Sequence, residues 1–454
     1  MQESGLLLAF YGDDFTGSTD AMEALAISGY RTILFLEPPT LELINQFEGV
    51  RCVGVAGTSR AKRPADMEAE LRPVFKQFSN IQAPFVQYKT CSTFDSGTKV
   101  GSIGKAIEVA RDYFTDQPVV PLLVGAPPLG RYTLFGQHFA KMNDTVYRLD
   151  RHPVMSKHPI TPMREADLRL HLAEQTSEAI NVMNILELEG SMETVRERYE
   201  KKLDQPGILL FDVLDEERMR LSGQLIWESL SGRSTFIVGS SGMNYAFTSY
   251  WESAGFKKSE NKRNVESIKP AEQVLAVSGS ASMITKQQIE NAIEAGFHGV
   301  KIAVDQMMDN ESVPYGLLDE VIKLIREGKS IILYTALGPE DEAIGTTREH
   351  FVRLGIPELQ SGEWIGRQLG RWTREIMLET GVRRVIVAGG DTSGFVTREL
   401  GIYGLEMLLP VSPGAPLCKA YSLDEKMDGI ELALKGGQLG GPHYFANVKQ
   451  ASNE

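Results

Sequence analysis

The chain has 454 residues, 42% hydrophobic and 24% charged, an ordinary globular balance and length enough for two domains with full cores. Its 47 Lys and Arg against 60 Asp and Glu leave a net charge of -13. That excludes the overall basic footprint of a nucleic-acid binder, though not a local basic pocket for a small anion. Cys52, Cys91 and Cys418 stand far apart with no CxxC pair, which disfavours a structural zinc site or a disulfide framework and fits a reducing cytoplasm.

The amino terminus has no basic leader, and residues 6–11 read as a buried first strand, not a signal peptide. Gly12-Asp13-Asp14-Phe15-Thr16-Gly17 is a turn, followed by a helix over 18–28 with Met22, Leu25 and Ala26 on one face. Strands follow at 32–36 and 51–56. Met67, Leu71, Val74, Phe75 and Phe78 are spaced as a helix over 65–78, in which Pro73 predicts a kink or break. A strand at 85–89, a helix over 103–114 and a strand at 119–124 come next. Between 132 and 162 regularity fails: Pro153, Pro159 and Pro162 break a stretch that carries His138, His152 and His158, so it reads as a long functional loop. Leu168 and Leu172 share a helix face, and strands at 208–213 and 235–238 close this half.

Residues 255–272 are polar and without period, and read as an interdomain linker. Alternation resumes with a strand at 274–277, a helix over 284–295, a strand at 300–304, a helix over 317–326, a strand at 331–334 and a long helix over 363–379. The expected fold is α/β: two α/β domains, 1–254 and 273–454, with mostly parallel sheets and an active-site cleft between them. No run is apolar for long enough to span a membrane.

In such sheets ligands lie at the carboxyl ends of strands. Asp13 and Asp14 stand there after the first strand, with Thr16 next and Asp20 one helical turn on. Neighbours in an extended chain face opposite ways, so the two carboxylates are not expected to act on one atom. One would bind a ligand hydroxyl while the other caps the helix. Other strand ends carry Thr58-Ser59-Arg60 and Lys89-Thr90-Cys91-Ser92-Thr93. An Arg and a Lys there suit a carboxylate, the Arg through two parallel bonds. With the acidic turn they make a pocket for a polyhydroxy acid.

In the second half, Arg384-Val385-Ile386-Val387 leads into Ala388-Gly389-Gly390-Asp391-Thr392-Ser393-Gly394 and then a helix from Phe395. Strand, glycine turn, Thr/Ser cap and helix aim backbone N–H groups and the positive helix end at an anion. Ser278-Gly279-Ser280-Ala281-Ser282 follows another strand, and Gly436-Gly437-Gln438-Leu439-Gly440-Gly441 lies near the carboxyl terminus. Together the three turns suggest a nucleotide phosphate cradle. Gly239-Ser240-Ser241-Gly242 is not a hydrolase elbow, because Met243 takes the last position. Gly328-Lys329-Ser330 is not a P-loop, with Lys323 where its first glycine would stand. No G-x-G-x-x-G follows a first strand, which disfavours a dinucleotide dehydrogenase.

Asp13-Asp14-Phe15-Thr16-Gly17, Lys89-x-Cys91-Ser92-Thr93-Phe94-Asp95-Ser96, Gly130-Arg131-Tyr132-Thr133, Thr161-Pro162-Met163-x-Glu165-x-Asp167-Leu168, Ser278 to Ser282, Gly389 to Gly394 and Lys435-Gly436-Gly437-Gln438-Leu439-Gly440-Gly441-Pro442, in this order, resemble the motifs of the four-carbon acid sugar kinases. The resemblance covers nearly the whole chain. It implies an ATP-dependent kinase whose first domain binds the sugar acid and whose second binds ATP with Mg2+. Carried over by motif, Asp13 and Asp14 would orient or deprotonate the hydroxyl, and Arg60, Lys89, Thr90, Cys91 and Ser92 would hold the acid. Ser278, Ser280, Gly389, Gly390, Asp391, Thr392, Ser393 and Gly437 would hold the nucleotide; no metal ligand is assigned. Many members have Asp-Ser-Thr-Leu-Arg-Gly where this chain has Cys91 to Ser96 and so lacks the Arg, and Tyr11-Gly12 replaces the commoner small residue before the Asp pair. The acid therefore stays open among 3-oxo-tetronate, D-threonate, D-erythronate and a branched five-carbon relative. The implied partners are the sugar acid and ATP, with no nucleic acid and no membrane, and with homo-oligomerisation left open. A catalytically silent sugar-acid sensor and an unrelated nicotinamide dehydrogenase are the alternatives.

Overall fold

The computed structural model describes residues 5–158, 160–230, 234–259, 268–308 and 313–453. The chain falls into two compact units, Met1–Asn261 and Lys262–Glu454. The division lies within the stretch read as linker, but both ends of that stretch are tied to a unit. Phe256 stacks edge-on against Trp227 at 5.4 Å, and the Ser259 N–H donates to Gly29 at 2.9 Å. On the other side, Ala271 N–H donates to Lys449 at 2.8 Å. Residues 260–267, and Pro159 of the proline-rich stretch, lie outside the described residues.

The first unit is built on a sheet of β1 (Leu8–Gly12), β2 (Thr32–Phe35), β3 (Cys52–Ala56), β4 (Phe85–Lys89), β5 (Val119–Leu123), β9 (Ile180–Met183), β10 (Gly207–Phe211) and β11 (Thr235–Gly239). Their spatial order is β2-β3-β1-β4-β11-β5-β10-β9, and the paired strands run parallel. Parallel strands are covered on both faces, which is why β1, β3, β4, β5 and β10 are buried at every residue and show runs of apolar residues without alternation. The chain leaves β1 for β2 and β3 on one side and crosses to β4 on the other. That reversal opens a crevice at the carboxyl end of β1, where Asp13 and Asp14 stand.

The expected loop over 132–162 is instead largely a second sheet, formed by β6 (Arg131–Leu134), β7 (Gln137–Met142) and β8 (Thr145–Arg148) in antiparallel order. Its half-exposed strands lack a clean apolar alternation, so the pattern gives no strand signal. Short helical turns at Leu149–Arg151 and Met155–Lys157 follow. Nor does Pro73 break its helix, which runs unbroken over Pro64–Ile81. A proline there forfeits one backbone bond, and the buried face of Met67, Leu71, Val74, Phe75 and Phe78 offsets the loss.

The second unit holds β12 (Leu275–Ser278), β13 (His298–Lys301), β14 (Ile331–Tyr334), β15 (Arg384–Ala388), β16 (Ile402–Leu409), β17 (Leu417–Ser422) and β18 (Glu431–Lys435). Their order is β13-β14-β12-β15-β18-β17-β16. The first five run parallel, and β17 is antiparallel to both its neighbours. Its core joins Val274, Ile289, Ile332, Ile386, Leu417 and Tyr444. The chain is thus α/β with mostly parallel sheets. Among the described residues, no helix is long and apolar enough to cross a membrane.

Candidate active site

The crevice at β1 is a lattice of compensated charges. Asp14 takes the N-cap position of the helix Phe15–Ile27 and accepts from the Gly17 N–H at 2.7 Å. Asp13 is buried, at 2% exposure. Its own N–H donates to Lys89 and its carbonyl accepts from the Arg60 N–H, both at 2.9 Å, so main-chain bonds lace three strand ends together.

Arg60 reaches back to both acids. Its Nη2 lies 2.9 Å from Asp13 Oδ1 and 2.5 Å from Asp14 Oδ1, and its Nε lies 3.3 Å from Asp13 Oδ2. The expectation that the two carboxylates act on different atoms is therefore corrected. The chain bends into the helix at Asp14, and both acids converge on one guanidinium nitrogen. Arg60, expected to face a substrate, is engaged by the protein's own carboxylates.

Lys89, also buried, pairs with Asp20 at 3.2 Å. Burial works against its charge, but Asp20, Asp14 and Asp13 outweigh that and hold its pKa above the ordinary value. Asp13 moves the other way: burial and the neighbouring Asp14 push its carboxyl up, and Arg60 only partly opposes them. Gly17 sits where these groups meet. A Cβ there would lie 2.5 Å from Asp14 Oδ1 and 2.6 Å from Lys89 Nζ, so a side chain would have to displace both charged groups.

The loop after β4 closes the same crevice. The Thr90 N–H donates to Gly239 at 2.9 Å, and Cys91 Sγ lies 3.0 Å from Thr93 Oγ1, which donates to Asp95 at 2.9 Å. Burial raises the Cys91 thiol to about 11, so it stays protonated at neutral pH. Ser92 is tied to the second sheet: its carbonyl accepts from His138 Nε2 at 2.9 Å, while His138 Nδ1 lies 3.0 Å from Thr133 Oγ1. Burial lowers this imidazole to about 4, so it is neutral and its Nε2 carries the proton. The stretch first read as a loop thus buttresses the acid-side loop. Arg131, which opens β6, belongs to the same neighbourhood: the carboxylates whose charge bears on it are Asp95 and Asp20.

In the second unit the three glycine turns come together. The Gly279 N–H donates to Ala388 at 3.2 Å, and the Gly389 N–H donates to Lys435 at 2.9 Å. Ser278 Oγ accepts from the Ser280 N–H, and Ser280 Oγ from the Ser282 N–H, both at 3.3 Å. Ser282 caps the helix Met283–Glu294 and donates to the Gly437 carbonyl, which Thr285 Oγ1 also reaches at 3.0 Å. Gln288 holds the carbonyls of Leu439, Gly440 and Gly441 at 2.8–3.0 Å.

The helix after β15 begins at Gly390, not at Phe395. Thr392 and Ser393 therefore lie in its first turn and are not caps, with Ser393 Oγ donating back to the Gly389 carbonyl at 2.7 Å. Gly390 and Asp391 open that turn. Gly389 has φ +131°, and a Cβ on it would lie 2.7 Å from Thr392 Oγ1; one on Gly437 would lie 2.7 Å from Ser280 Oγ.

Two features here were given no role by motif reading, although Lys435 heads the last glycine motif. Lys435, at the end of β18, is 1% exposed, with its Nζ 3.0 Å from Thr285 Oγ1 and no carboxylate within ion-pair distance among the described residues. Burial alone lowers it to about 8. A buried, uncompensated ammonium calls for an anion. Beside Gly279 opens a cavity of about 320 Å³ lined by Thr335, Ile344, Thr347, Phe351 and Ile365. Such a mostly apolar slot beside phosphate-sized loops suits a nucleoside. Among the described residues, no cluster of three His, Cys, Asp or Glu side chains is placed to hold a metal ion.

Comparison with known proteins fits this division. Residues 8–247 match a sugar-binding N-terminal domain family and residues 275–445 a nucleotide-binding C-terminal domain family. A sugar-binding domain joined to a nucleotide-binding one defines the class. The chain is 41% identical to a 3-oxo-isoapionate kinase of Paraburkholderia graminis, over 98% of this chain and 95% of the relative. It is 27% identical to a 3-oxo-tetronate kinase of Pseudomonas savastanoi pv. phaseolicola, over 97% and 96%. In fold it resembles a Haemophilus influenzae protein of known structure, with a TM-score of 0.72 and 22% identity over 97% of this chain and 99% of that one. The chain belongs to the four-carbon acid sugar kinase family.

Proposed function

We propose that the protein transfers the γ-phosphoryl group of ATP to a terminal hydroxyl of a small oxidised sugar acid, branched and five-carbon like 3-oxo-isoapionate or straight and four-carbon like 3-oxo-tetronate. That it is a sugar-acid kinase follows from its family. The 41% relative favours the branched acid. The observation that supports the reading is that one chain carries both a crevice of carboxylates and cations at β1 and glycine turns beside the buried Lys435. In the transfer, a new bond forms between the substrate hydroxyl oxygen and Pγ, the bond from Pγ to the β,γ-bridging oxygen breaks, ADP leaves, and the hydroxyl proton passes to a carboxylate.

Asp14 is the better base. It is the more exposed of the two acids, and its known contacts use Oδ1, leaving Oδ2 for the hydroxyl. Asp13 and Arg60 would fix its position. Lys89 and the Thr90–Cys91–Ser92 loop would line the acid's hydroxyl-bearing face.

On the nucleotide side, backbone N–H groups around Ser278, Ser280, Gly389 to Ser393 and Gly437 would cradle the phosphates, with Lys435 as their buried counter-charge. The base would lie in the slot beside Gly279. Mg2+ would supply charge neutralisation between the phosphates. Since the described residues form no cage of their own, it would arrive with the nucleotide, as this ion commonly does. Such a reaction belongs where ATP is made, in the cytoplasm.

The sensor and dehydrogenase readings have nothing specific to favour them. The test is ADP release, coupled to a reporter, over 3-oxo-isoapionate, 3-oxo-tetronate, D-threonate and D-erythronate. Turnover with none of them sinks the proposal.

A further inference from the structure

We infer that Arg131, not Arg60, takes the carboxylate of the substrate; the inference rests on the sugar-acid reading above. The two arginines differ in what their guanidinium edges face. A carboxylate binds best along the edge formed by Nε and one terminal nitrogen, where two N–H bonds run parallel. In Arg60 that edge is filled, since Nε and Nη2 lie 3.3 and 2.9 Å from the two oxygens of Asp13, and Asp14 shares Nη2.

Arg131 is anchored from its other side. Its Nη1 donates to the carbonyls of Leu129 at 2.8 Å, Gly130 at 3.4 Å and Lys141 at 3.3 Å. Its Nε is buried and, among the described residues, meets no acceptor. Among the described residues no acceptor reaches Nη2 and no carboxylate lies within ion-pair distance. One nitrogen fixed to the main chain with the opposite edge unmet is an arginine oriented for an anion from outside the chain. A buried N–H without a partner is costly, and an incoming carboxylate would satisfy it.

Location agrees. Arg131 opens β6, the strand beside β7, whose His138 holds Ser92. The carboxylates that bear on it, Asp95 and Asp20, belong to the acid-side crevice, and Asp20 pairs with Lys89 at 3.2 Å. Those groups do not offset the effect of burial, which leaves its pKa lowered. The chain's net charge of -13 makes such a local cation necessary for an acid to bind.

The test is steady-state kinetics on the full chain, with whichever acid of the ADP-release panel turns over fastest and with the uncharged polyol of the same skeleton. Arg131→Ala should raise KM for the acid by about 10²-fold, leave KM for ATP unchanged and erase the preference for acid over polyol. Arg131→Lys, which keeps the stem and the charge, should recover part of the preference, and it carries the test if the alanine variant does not fold. Arg60→Ala should keep the preference while losing kcat. If folded Arg131→Ala, or Arg131→Lys in its place, retains the parental acid-over-polyol ratio, the assignment is overturned. A parent that phosphorylates no acid of the panel overturns the kinase reading first, and with it this one.

Discussion

The two candidate sites of this chain handle charge in opposite ways. At β1 in the first unit, three carboxylates and two cations are matched within short range: Arg60 with Asp13 and Asp14, Lys89 with Asp20. Over β18 in the second unit, glycines and hydroxyls surround the buried Lys435 ammonium, with no matching carboxylate among the described residues. On the proposed reading, the difference follows from what each binds. A sugar acid brings several hydroxyls and one negative charge, so its site needs oriented acceptors that are held apart and already compensated. A polyphosphate brings several negative charges, so its site needs N–H donors, close backbone approach and a cation left unpaired. In the first, order comes from ion pairs; in the second, from glycine geometry.

The strongest blow to the acid half should be Asp14→Asn. Asparagine caps a helix as well as aspartate does, so the fold should hold while the proton acceptor is lost. A fall in kcat of about 10³-fold is expected, with an unchanged melting temperature. A kcat within a few-fold of the parent would move the base to Asp13.

In the nucleotide half the matching break is Gly389→Val. Its φ of +131° and the Thr392 hydroxyl 2.7 Å from a Cβ both forbid a side chain. Strain of about 1–3 kcal/mol on the phosphate loop should raise KM for ATP by roughly tenfold to a hundredfold and leave KM for the acid alone. A rise in both would mean that the loop serves the whole fold and not the nucleotide in particular.

Arg60→Ala tests whether compensation at β1 matters for its own sake. Asp13 is already pushed up by burial and by Asp14, and loss of the guanidinium removes what opposes them. Its protonation should then begin at higher pH, so the acid limb of the kcat profile should move upward, with kcat at neutral pH down by about tenfold. An acid limb in the parental place would reduce Arg60 to a loop tie.

The smallest effect concerns the unpaired cation. Lys435 stands at about 8, below the ordinary lysine value, so it loses its proton as pH rises through 8. ATP affinity, measured by calorimetry, should fall by about tenfold between pH 7 and 9 in the parent and stay flat in Lys435→Met. Stability should change in the opposite sense. Between about 8 and the ordinary lysine value the unfolded chain holds the proton that the native chain has released, so the parent should gain stability as pH rises there, and the variant should lose that gain. Equal pH slopes in parent and variant would show that the ammonium does not meet the phosphates.

Much of this was open to reading along the chain, for a physical reason. Apolar runs such as Phe85–Lys89 and Ile331–Tyr334 need only local pattern to be seen as buried strands, and a carboxylate pair or a glycine turn after such a strand marks a ligand edge wherever the strand lies in the sheet. Local pattern could also place Asp14 at a helix cap. What it could not decide is which partner a long side chain reaches. Arg60 meets Asp13 across 47 residues, His138 meets Ser92 across 46, and Lys435 meets Thr285 across 150. Such distances along the chain carry no periodic signal, and the half-exposed strands β6–β8 lack even the apolar alternation that would have announced them. So the residue types and the edges on which they stand were written in the sequence. Which cations are already paired, at Arg60, and which lack an anion among the described residues, at Arg131 and Lys435, was decided by tertiary structure, because burial and the closing of a charge pair depend on what the folded chain brings within a few ångströms.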